Sequence, residues 1–228
     1  MYDLLRKVLR LFFQRPVISG LDLVHASGPC VFAANHQGSY GPIILMLYMP
    51  FRMYPWVTHE VMIISKSPDY IRKDFIEPEL RIHGPVSYIL SWIIGFFAVK
   101  IMHTIEAVPV FKKSKKIFTT ISKSVDLLLL GKRLLIFPEI PGTDTCLGVH
   151  EFDTGFLKLA QRYKSETGKR LPVYPVSVNK ETKHIVISAP LFLDHQSPFL
   201  MQREEMIENI LQSVYHGIRI SKVMRGMD

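Results

Sequence analysis

Acidic residues are scarce in this sequence: 20 Asp and Glu residues stand against 28 Lys and Arg residues, which gives a formal net charge of +8. Charged residues make up only 21 % of the chain, whereas apolar residues make up 48 %. This apolar content excludes an intrinsically disordered chain. The basic excess indicates an anionic partner, but nucleic-acid binders normally concentrate their charge on a polar face. A chain that is both basic and apolar is more typical of a protein that binds a membrane surface.

Cysteine is also scarce, since the chain contains only Cys30 and Cys146. Neither belongs to a Cys-x-x-Cys pair or lies near histidines at a metal-binding spacing. We therefore predict two reduced thiols and no metal site, and the alternative of a single disulfide stays open. A chain of 228 residues can bury a full core without a disulfide or a structural metal.

A long uninterrupted apolar run is absent. The best candidate, Val86–Val99, is free of charged residues but has fewer than the ~20 residues that a membrane span requires. Its length fits a buried core helix and a partly inserted interfacial helix equally well, and Trp92, Phe96 and Phe97 suit a membrane interface. We therefore predict no transmembrane helix.

The N-terminal segment alternates apolar residues with Arg6, Lys7 and Arg10 at near-helical spacing, and Pro16 ends the pattern. A signal peptide requires an unbroken apolar stretch and a cleavage site with small residues, which this segment lacks. We interpret the segment as a basic amphipathic helix in a membrane interface, in preference to a surface helix packed on the core. The predicted organisation is a membrane-associating helical segment over residues 1–27 and an α/β domain over residues 28–228.

Short apolar segments alternate with helical patterns along the rest of the chain. This alternation predicts an α/β fold with a mixed, mostly parallel sheet flanked by helices. The predicted strands are Val31–Ala34, Arg133–Phe137, Pro172–Val178 and His184–Ser188. The predicted helices are one that begins at about Pro42 and those over Lys116–Leu130, Thr154–Thr167 and Glu204–Ile220.

The most informative segment is Ala33–Leu45, in which a buried strand leads into a polar loop just before a helix. His36 lies in this loop. A histidine at the end of a buried strand and at a helix N-terminus is well placed to act as a catalytic base. Taken alone the signal is weak, because most single histidines are structural or merely exposed.

Three further segments strengthen this signal: Ala107–Lys113, Phe137–Asp144 together with Glu151–Ala160, and Leu171–Asn179. In order and spacing, these segments and the His36 loop resemble the glycerolipid acyltransferase family, whose members acylate lysophosphatidic acid and related lysolipids. The resemblance extends from about Val31 to Asn179 and implies an acyltransferase-like fold.

The sequence departs from the family motifs at several positions. The first motif is a His, four variable residues and then an Asp, and Gly41 occupies that Asp position. The second motif, Gly-x-x-Phe-x-x-Arg, is represented by Ala107, Val110 and Lys113. In the third motif, two extra residues separate Phe-Pro-Glu from the Gly-Thr pair, and Asp144 replaces the Arg.

The resemblance implies roles for individual residues. His36 is the expected general base, and Glu139 is the acid expected beside it. The residues expected to bind the substrate are Lys113, Gly142, Thr143, Asn35 and Tyr40. Lys113 offers a point charge where the family carries a bidentate Arg, so a phosphate would be held in looser geometry.

The missing Asp leaves three alternatives. Another carboxylate, namely Glu139, Asp144 or Asp153, takes over the orientation of His36; a water fills the space; or the reaction has been lost. In serine proteases, the loss of the orienting carboxylate lowers turnover by roughly 10⁴-fold, so the substitution is serious.

We therefore expect a peripheral or monotopic acyltransferase on the cytoplasmic side of a membrane. Its acyl donor would be acyl-CoA or acyl-carrier protein, its acceptor a lysophospholipid or other lysolipid, and its partners would include membrane lipids but no nucleic acid. No cofactor or metal is expected beyond the acyl donor. The alternative is a catalytically impaired family member that acts as a lipid- or membrane-binding module.

Overall fold

The computed structural model describes residues 2–111, 115–139, 152–193 and 199–226. These residues form a seven-stranded sheet with helices on both faces. The strands are β1 (Val17–Ser19), β2 (Cys30–Ala34), β3 (Tyr54–Thr58), β4 (Val108–Val110), β5 (Arg133–Ile136), β6 (Val173–Asn179) and β7 (His184–Ile187). The helices are α1 (Tyr2–Leu9), α2 (Tyr40–Tyr48), α3 (Ser67–Ile71), α4 (Pro85–Thr104), α5 (Ile117–Leu129), α6 (Lys158–Thr167) and α7 (Phe199–Val223).

The sheet is mixed and mostly parallel, as the sequence predicts. Its strand order is β1-β7-β6-β2-β5-β3-β4. The five strands from β6 to β4 are parallel to one another, whereas β7 is antiparallel to β6 and β1 is parallel to β7. Because parallel strands end on the same side, the carboxyl ends of β2, β5, β3 and β4 lie along one edge of the sheet.

Two clusters of buried residues lie on the two faces of the sheet. On one face, α2 packs Ile44 and Leu45 against Phe32 and Tyr174, whose rings stack 5.4 Å apart. On the other face, α5, α6 and α7 cover β2, β5 and the first part of β6. Both faces of the central strands are covered, so β2 is buried along its whole length.

The elements predicted from sequence lie within a few residues of those observed, but three strands were missed. β1 and β4 have three residues each, and both β3 and β4 contain a proline, Pro55 and Pro109. Proline donates no backbone hydrogen bond and reduces the strand signal, and it is tolerated here near the edge of the sheet. β1 lies within the N-terminal segment 1–27 and pairs with β7.

Helix α4 turns its large apolar side chains away from the protein. Its buried residues are Ser87, Ser91 and Gly95, whereas Trp92 is 60 % and Phe97 58 % exposed. α4 is long and apolar enough to cross a membrane, and only 22 % of its most apolar window is buried. Of the two interpretations of this segment, the core helix is therefore not the one observed. The helix has 20 residues, so the apolar stretch Val86–Val99 underestimated its length, and its exposed apolar face supports membrane association in general.

Two arginines of the N-terminal segment, Arg6 in α1 and Arg10 just after it, bond to the protein, whereas Lys7 is exposed. The Arg6 guanidinium donates hydrogen bonds to the carbonyls of Leu47 and Met49, and Arg10 donates to Leu47. These carbonyls lie at the C-terminal end of α2, where a cation is favourable. Leu11 and Phe12, which follow α1, are 82 % and 77 % exposed. The location of this segment in a membrane interface stays a prediction.

Candidate active site

Two of the predicted site residues meet at the carboxyl edge of the sheet. His36 follows β2 and Glu139 follows β5, and these two strands are parallel neighbours. Glu139 Oε2 accepts a hydrogen bond of 2.8 Å from the backbone N–H of His36. The backbone of Glu139 also pairs with that of Phe152 in an isolated antiparallel β-bridge, and Phe152 lies in the segment that leads to α6. The carboxylate thus holds the main chain of the histidine, while the imidazole ring is exposed.

The imidazole of His36 is oriented by the backbone of its own loop. Its Nδ1 forms a hydrogen bond with the carbonyl of Gly38. Since a carbonyl only accepts hydrogen bonds, Nδ1 carries the hydrogen, and the neutral ring then has its basic lone pair on Nε2. The ring also makes an edge contact with Phe137, with a centroid separation of 4.9 Å. This tautomer is the one that a general base acting through Nε2 requires.

Two residues in the left-handed conformation turn the chain so that the Gly38 carbonyl faces the His36 imidazole. Gln37 has φ = 50° and Gly38 has φ = 64°. Gly38 adopts this conformation without steric cost, but Gln37 does so at a cost of about 1 kcal/mol or more. Such strain persists only where surrounding contacts impose it, and it is concentrated at functional sites.

Gly41 has no room for a side chain. Its N–H donates to the carbonyl of His36 at 3.0 Å. A Cβ added at Gly41 would lie 2.3 Å from that carbonyl oxygen and 3.0 Å from the carbonyl oxygen of Asn35. Backbone atoms therefore occupy the place of the motif's Asp side chain. This geometry disfavours the alternative in which water fills that space, and it makes an Asp incompatible with the present shape of the loop.

Of the other acids considered as replacements, Asp153 caps its own turn. Its Oδ1 accepts a hydrogen bond of 2.7 Å from the N–H of Gly155, and its N–H donates to the carbonyl of Pro138 at 2.6 Å. Asp144 lies outside the described residues. Glu139 contacts His36 through the main chain, as described above.

Glu79 is a residue of this site that the sequence did not indicate. One of its carboxylate oxygens accepts the N–H of Ser39 at 2.9 Å, and the other accepts the hydroxyl of Ser39 at 2.7 Å. The same carboxylate lies against Gly38, where an added Cβ would be 3.0 Å from Glu79 Oε1. Glu79 belongs to the connection before α4, far from the His36 loop in sequence, and no local motif marks it.

Asn35 and Tyr40 lie beside His36 with their side chains directed into the protein. Asn35 is fully buried; its side-chain amide donates to the carbonyl of Val178 at 3.0 Å and accepts the N–H of Val178 at 2.7 Å. Tyr40, the first residue of α2, packs against the buried cluster between α2 and the sheet, and Lys183 Nζ lies 5.0 Å from the centroid of the Tyr40 ring. Burial, with a smaller effect of Tyr48, raises the pKa of the Tyr40 hydroxyl. Their role in substrate binding stays a prediction.

Lys113, Gly142 and Thr143 lie outside the described residues. The last described residue before Lys113 is Phe111, which follows β4. The ring of Phe111 contacts the ring of His59, which follows β3, with a centroid separation of 4.8 Å. Both residues lie at the same edge of the sheet as His36. Within residues 2–111, 115–139, 152–193 and 199–226, no three His, Cys, Asp or Glu side chains are grouped so that they could hold a metal ion.

The fold of this chain is similar to that of a protein of known structure. No protein-family model matches the sequence, and no curated protein matches it significantly. Among solved structures, the chain is similar to the 1-acyl-sn-glycerophosphate (LPA) acyltransferase PlsC from Thermotoga maritima, with a TM-score of 0.54 and 16 % sequence identity over 90 % of this chain and 71 % of that chain. At this identity the similarity concerns the fold, so the acyltransferase-like fold predicted from the motifs is confirmed.

Proposed function

We propose that this protein is an acyltransferase that moves a fatty acyl group from acyl-CoA or acyl-carrier protein to a lysolipid, with His36 as the general base. The observation that carries the proposal is the His36 imidazole. It is exposed at the carboxyl edge of a sheet with an acyltransferase fold, and its Nδ1 is bonded to the Gly38 carbonyl. This orientation presents Nε2 as the basic nitrogen.

The proposed reaction is a direct transfer from thioester to acceptor. Nε2 of His36 removes the proton from the acceptor hydroxyl as its oxygen attacks the thioester carbonyl carbon. The carbon–sulfur bond then breaks, and the departing thiolate takes the proton from the imidazolium. The Gly38 carbonyl accepts the Nδ1–H throughout and favours the transient positive charge on the ring.

Acceptor recognition is assigned to the residues expected from the motifs. Within the described residues the set comprises Glu139, which bonds the His36 main chain, together with Asn35 and Tyr40; Lys113, Gly142 and Thr143 complete it. Lys113 would supply a point charge for the acceptor. Asp144, in place of the motif's Arg, favours an acceptor less anionic than a phosphate monoester, such as an amine-bearing lipid.

The outward apolar face of α4 supports a peripheral position on a membrane, which we assign to the cytoplasmic side. Ile89 is 65 % and Trp92 60 % exposed, as suits insertion among lipid headgroups. Glu79, which contacts the His36 loop, lies only six positions before the start of α4 at Pro85. An extended chain of that length spans at most about 20 Å, so the apolar face begins close to the candidate site.

The test is acyl transfer by the purified protein on vesicles, with radiolabelled acyl-CoA or acyl-carrier protein and a panel of lysolipids. His36→Ala is expected to lower the rate by 10²- to 10⁴-fold, the usual contribution of a general base. The matched control is His216→Ala, because His216 is exposed on α7, whose buried side packs on β6 and β7. Equal rates in the wild type and His36→Ala would overturn the proposal.

The second candidate function is a non-catalytic module that binds lipid, and the lack of space for an acid at Gly41 is the observation that favours it. The same assay separates the two functions. No transfer to any acceptor, together with binding of the wild-type protein to anionic vesicles, would support the module.

A further inference from the structure

The carboxylate of Glu79 makes a bidentate contact with Ser39, accepting both its N–H and its hydroxyl. Ser39 immediately precedes α2 and follows the left-handed residues Gln37 and Gly38. Hydrogen bonds to an ionised acceptor are roughly twice as strong as those between neutral groups. A negative charge is also favourable at the N-terminus of a helix. Two independent effects therefore hold the Gly38–Ser39 segment against Glu79.

This segment determines where the Gly38 carbonyl points. The carbonyl bonds Nδ1 of His36, so a shift of the turn would release the ring. Gln37 resists the turn, because its left-handed conformation is unfavourable for a residue with a side chain. Contacts from outside the loop must therefore impose the conformation, and Glu79 supplies two of them from a distant part of the chain.

We propose that Glu79 is a positioning residue for His36: it locks the Gly38–Ser39 turn so that a backbone carbonyl performs the orienting task for which Gly41 leaves no room. The catalytic meaning of this inference rests on the proposed function. Glu79 acts through the loop, and the group that contacts the imidazole is the Gly38 carbonyl.

A simpler explanation is that Glu79 only stabilises the start of α2. That role predicts a lower melting temperature for a Glu79 variant with no change in the imidazole. The proposed role predicts a change in the position of the ring hydrogen. When the Gly38 carbonyl no longer holds Nδ1–H, the ring is free to exchange between its two neutral tautomers.

The experiment is nitrogen NMR of the folded protein labelled at its histidines, at a pH where the imidazoles are neutral. The chain has nine histidines, and His36→Ala identifies the His36 signals by their disappearance. In the wild type, His36 is expected to be entirely in the Nδ1–H tautomer. In Glu79→Ala, it is expected to become a mixture of tautomers. Glu79→Gln keeps an oxygen acceptor and is expected to restore most of the Nδ1–H form.

The matched control is Glu77→Ala. Glu77 lies in the same connection but pairs with Arg72 at 2.6 Å. Its removal perturbs the same segment, so it is expected to lower stability while leaving the His36 tautomer unchanged. Acyl transfer provides a second readout: Glu79→Ala is expected to lower kcat by 10- to 100-fold with little change in KM, because the loop orients the base rather than holding the acceptor.

An unchanged Nδ1–H tautomer in folded Glu79→Ala would overturn the inference, as would an equal tautomer change in Glu77→Ala. The outcomes for the two proposals are distinguishable, because the NMR signal does not depend on turnover. If the tautomer changes as expected but the wild type transfers no acyl group, the positioning role stands and the proposed enzymatic function fails.

Discussion

Helices α2 and α4 have similar apolar sequences and opposite environments. Ile44 on α2 is completely buried, whereas Ile89 on α4 is 65 % exposed. The difference follows from the small residues of α4: Ser87, Ser91 and Gly95 recur every four positions and so lie on one face of the helix. That face packs on α3 and its neighbouring turns, and the large side chains are left outside. Apolar content alone therefore does not reveal which side of a helix is buried.

The close packing of α4 depends on its small face. A Cβ at Gly95 would lie 2.9 Å from the backbone nitrogen of Pro68, and the Ser67 hydroxyl donates to the carbonyl of Gly95 at 3.2 Å. In α2, by contrast, the aliphatic residues fill the core and the N-terminus supports the His36 loop. One helix thus positions the candidate base, and the other presents an apolar surface.

The largest effect should come from Gly41→Asp at the start of α2. If this variant only restored the motif's acid, transfer would become faster. The structure predicts the opposite, because the new side chain would overlap the His36 carbonyl and bury a charge, at a cost of more than about 4 kcal/mol of unfolding free energy. Chemical denaturation and acyl transfer are the measurements. A stable variant with a raised rate would contradict this account of the loop.

A matched pair of substitutions tests the contrast between the two helices directly. Ile44→Ala is expected to lower the unfolding free energy by about 2–5 kcal/mol, because it leaves a cavity in the core. Ile89→Ala removes the same atoms from an exposed site and is expected to change it by less than about 0.5 kcal/mol. Urea denaturation of both variants provides the comparison.

On membrane binding, the same two substitutions should have effects in the opposite order to their effects on stability. Ile89→Ala is expected to weaken binding to anionic vesicles several-fold, since it removes about 1–2 kcal/mol of apolar insertion. Folded Ile44→Ala should bind as the wild type does. If Ile89→Ala destabilised the protein as much as Ile44→Ala and left vesicle binding unchanged, the apolar face of α4 would be covered in solution.

The smallest effect concerns the alkaline stability of the cluster under α2, which includes Cys30. Burial raises the pKa of this thiol from 9.0 to about 12, although Arg133 partly opposes the shift. Above pH 9 the unfolded chain ionises at this residue and the folded chain does not. The contribution of the neutral Cys30 thiol to the unfolding free energy is therefore intact below pH 9. It is lost at about 1.4 kcal/mol per pH unit as the pH rises towards 12.

The measurement is the difference in unfolding free energy between the wild type and Cys30→Ala at pH 8 and pH 10. The wild type should lose about 1.4 kcal/mol more than the variant over this interval, because other alkaline groups, such as Tyr70, titrate in both proteins. Parallel pH curves for the two proteins would show that Cys30 is not shielded by the packing of α2.

Much of the fold was predictable from sequence because its signals are local. The buried strands β2, β5 and β6 are short apolar segments, and α5 and α6 end shortly before Gly131 and Gly168, both of which have positive φ. β3 and β4 were not predicted, since their prolines weaken the strand pattern and only pairing with neighbouring strands stabilises them.

The candidate site was predictable only in part. His36 and Glu139 each follow a buried segment, and the parallel pairing of β2 with β5, which the sequence did not predict, brings them together. Glu79 was missed because its contact with Ser39 joins residues far apart in sequence, and an acid in a connecting segment has no distinctive local pattern.

The amino-acid sequence alone determined that this chain is an α/β protein, that His36 follows a buried strand and that Gly41 stands where the motif that the sequence resembles has an Asp. These features depend on residue type and on spacing within one or two elements. The tertiary structure decided that the Gly38 carbonyl orients the imidazole, that Glu79 holds the turn and that α4 faces outward. Each of these depends on the approach of distant segments, and the space and partners that such an approach creates are not encoded in any local pattern.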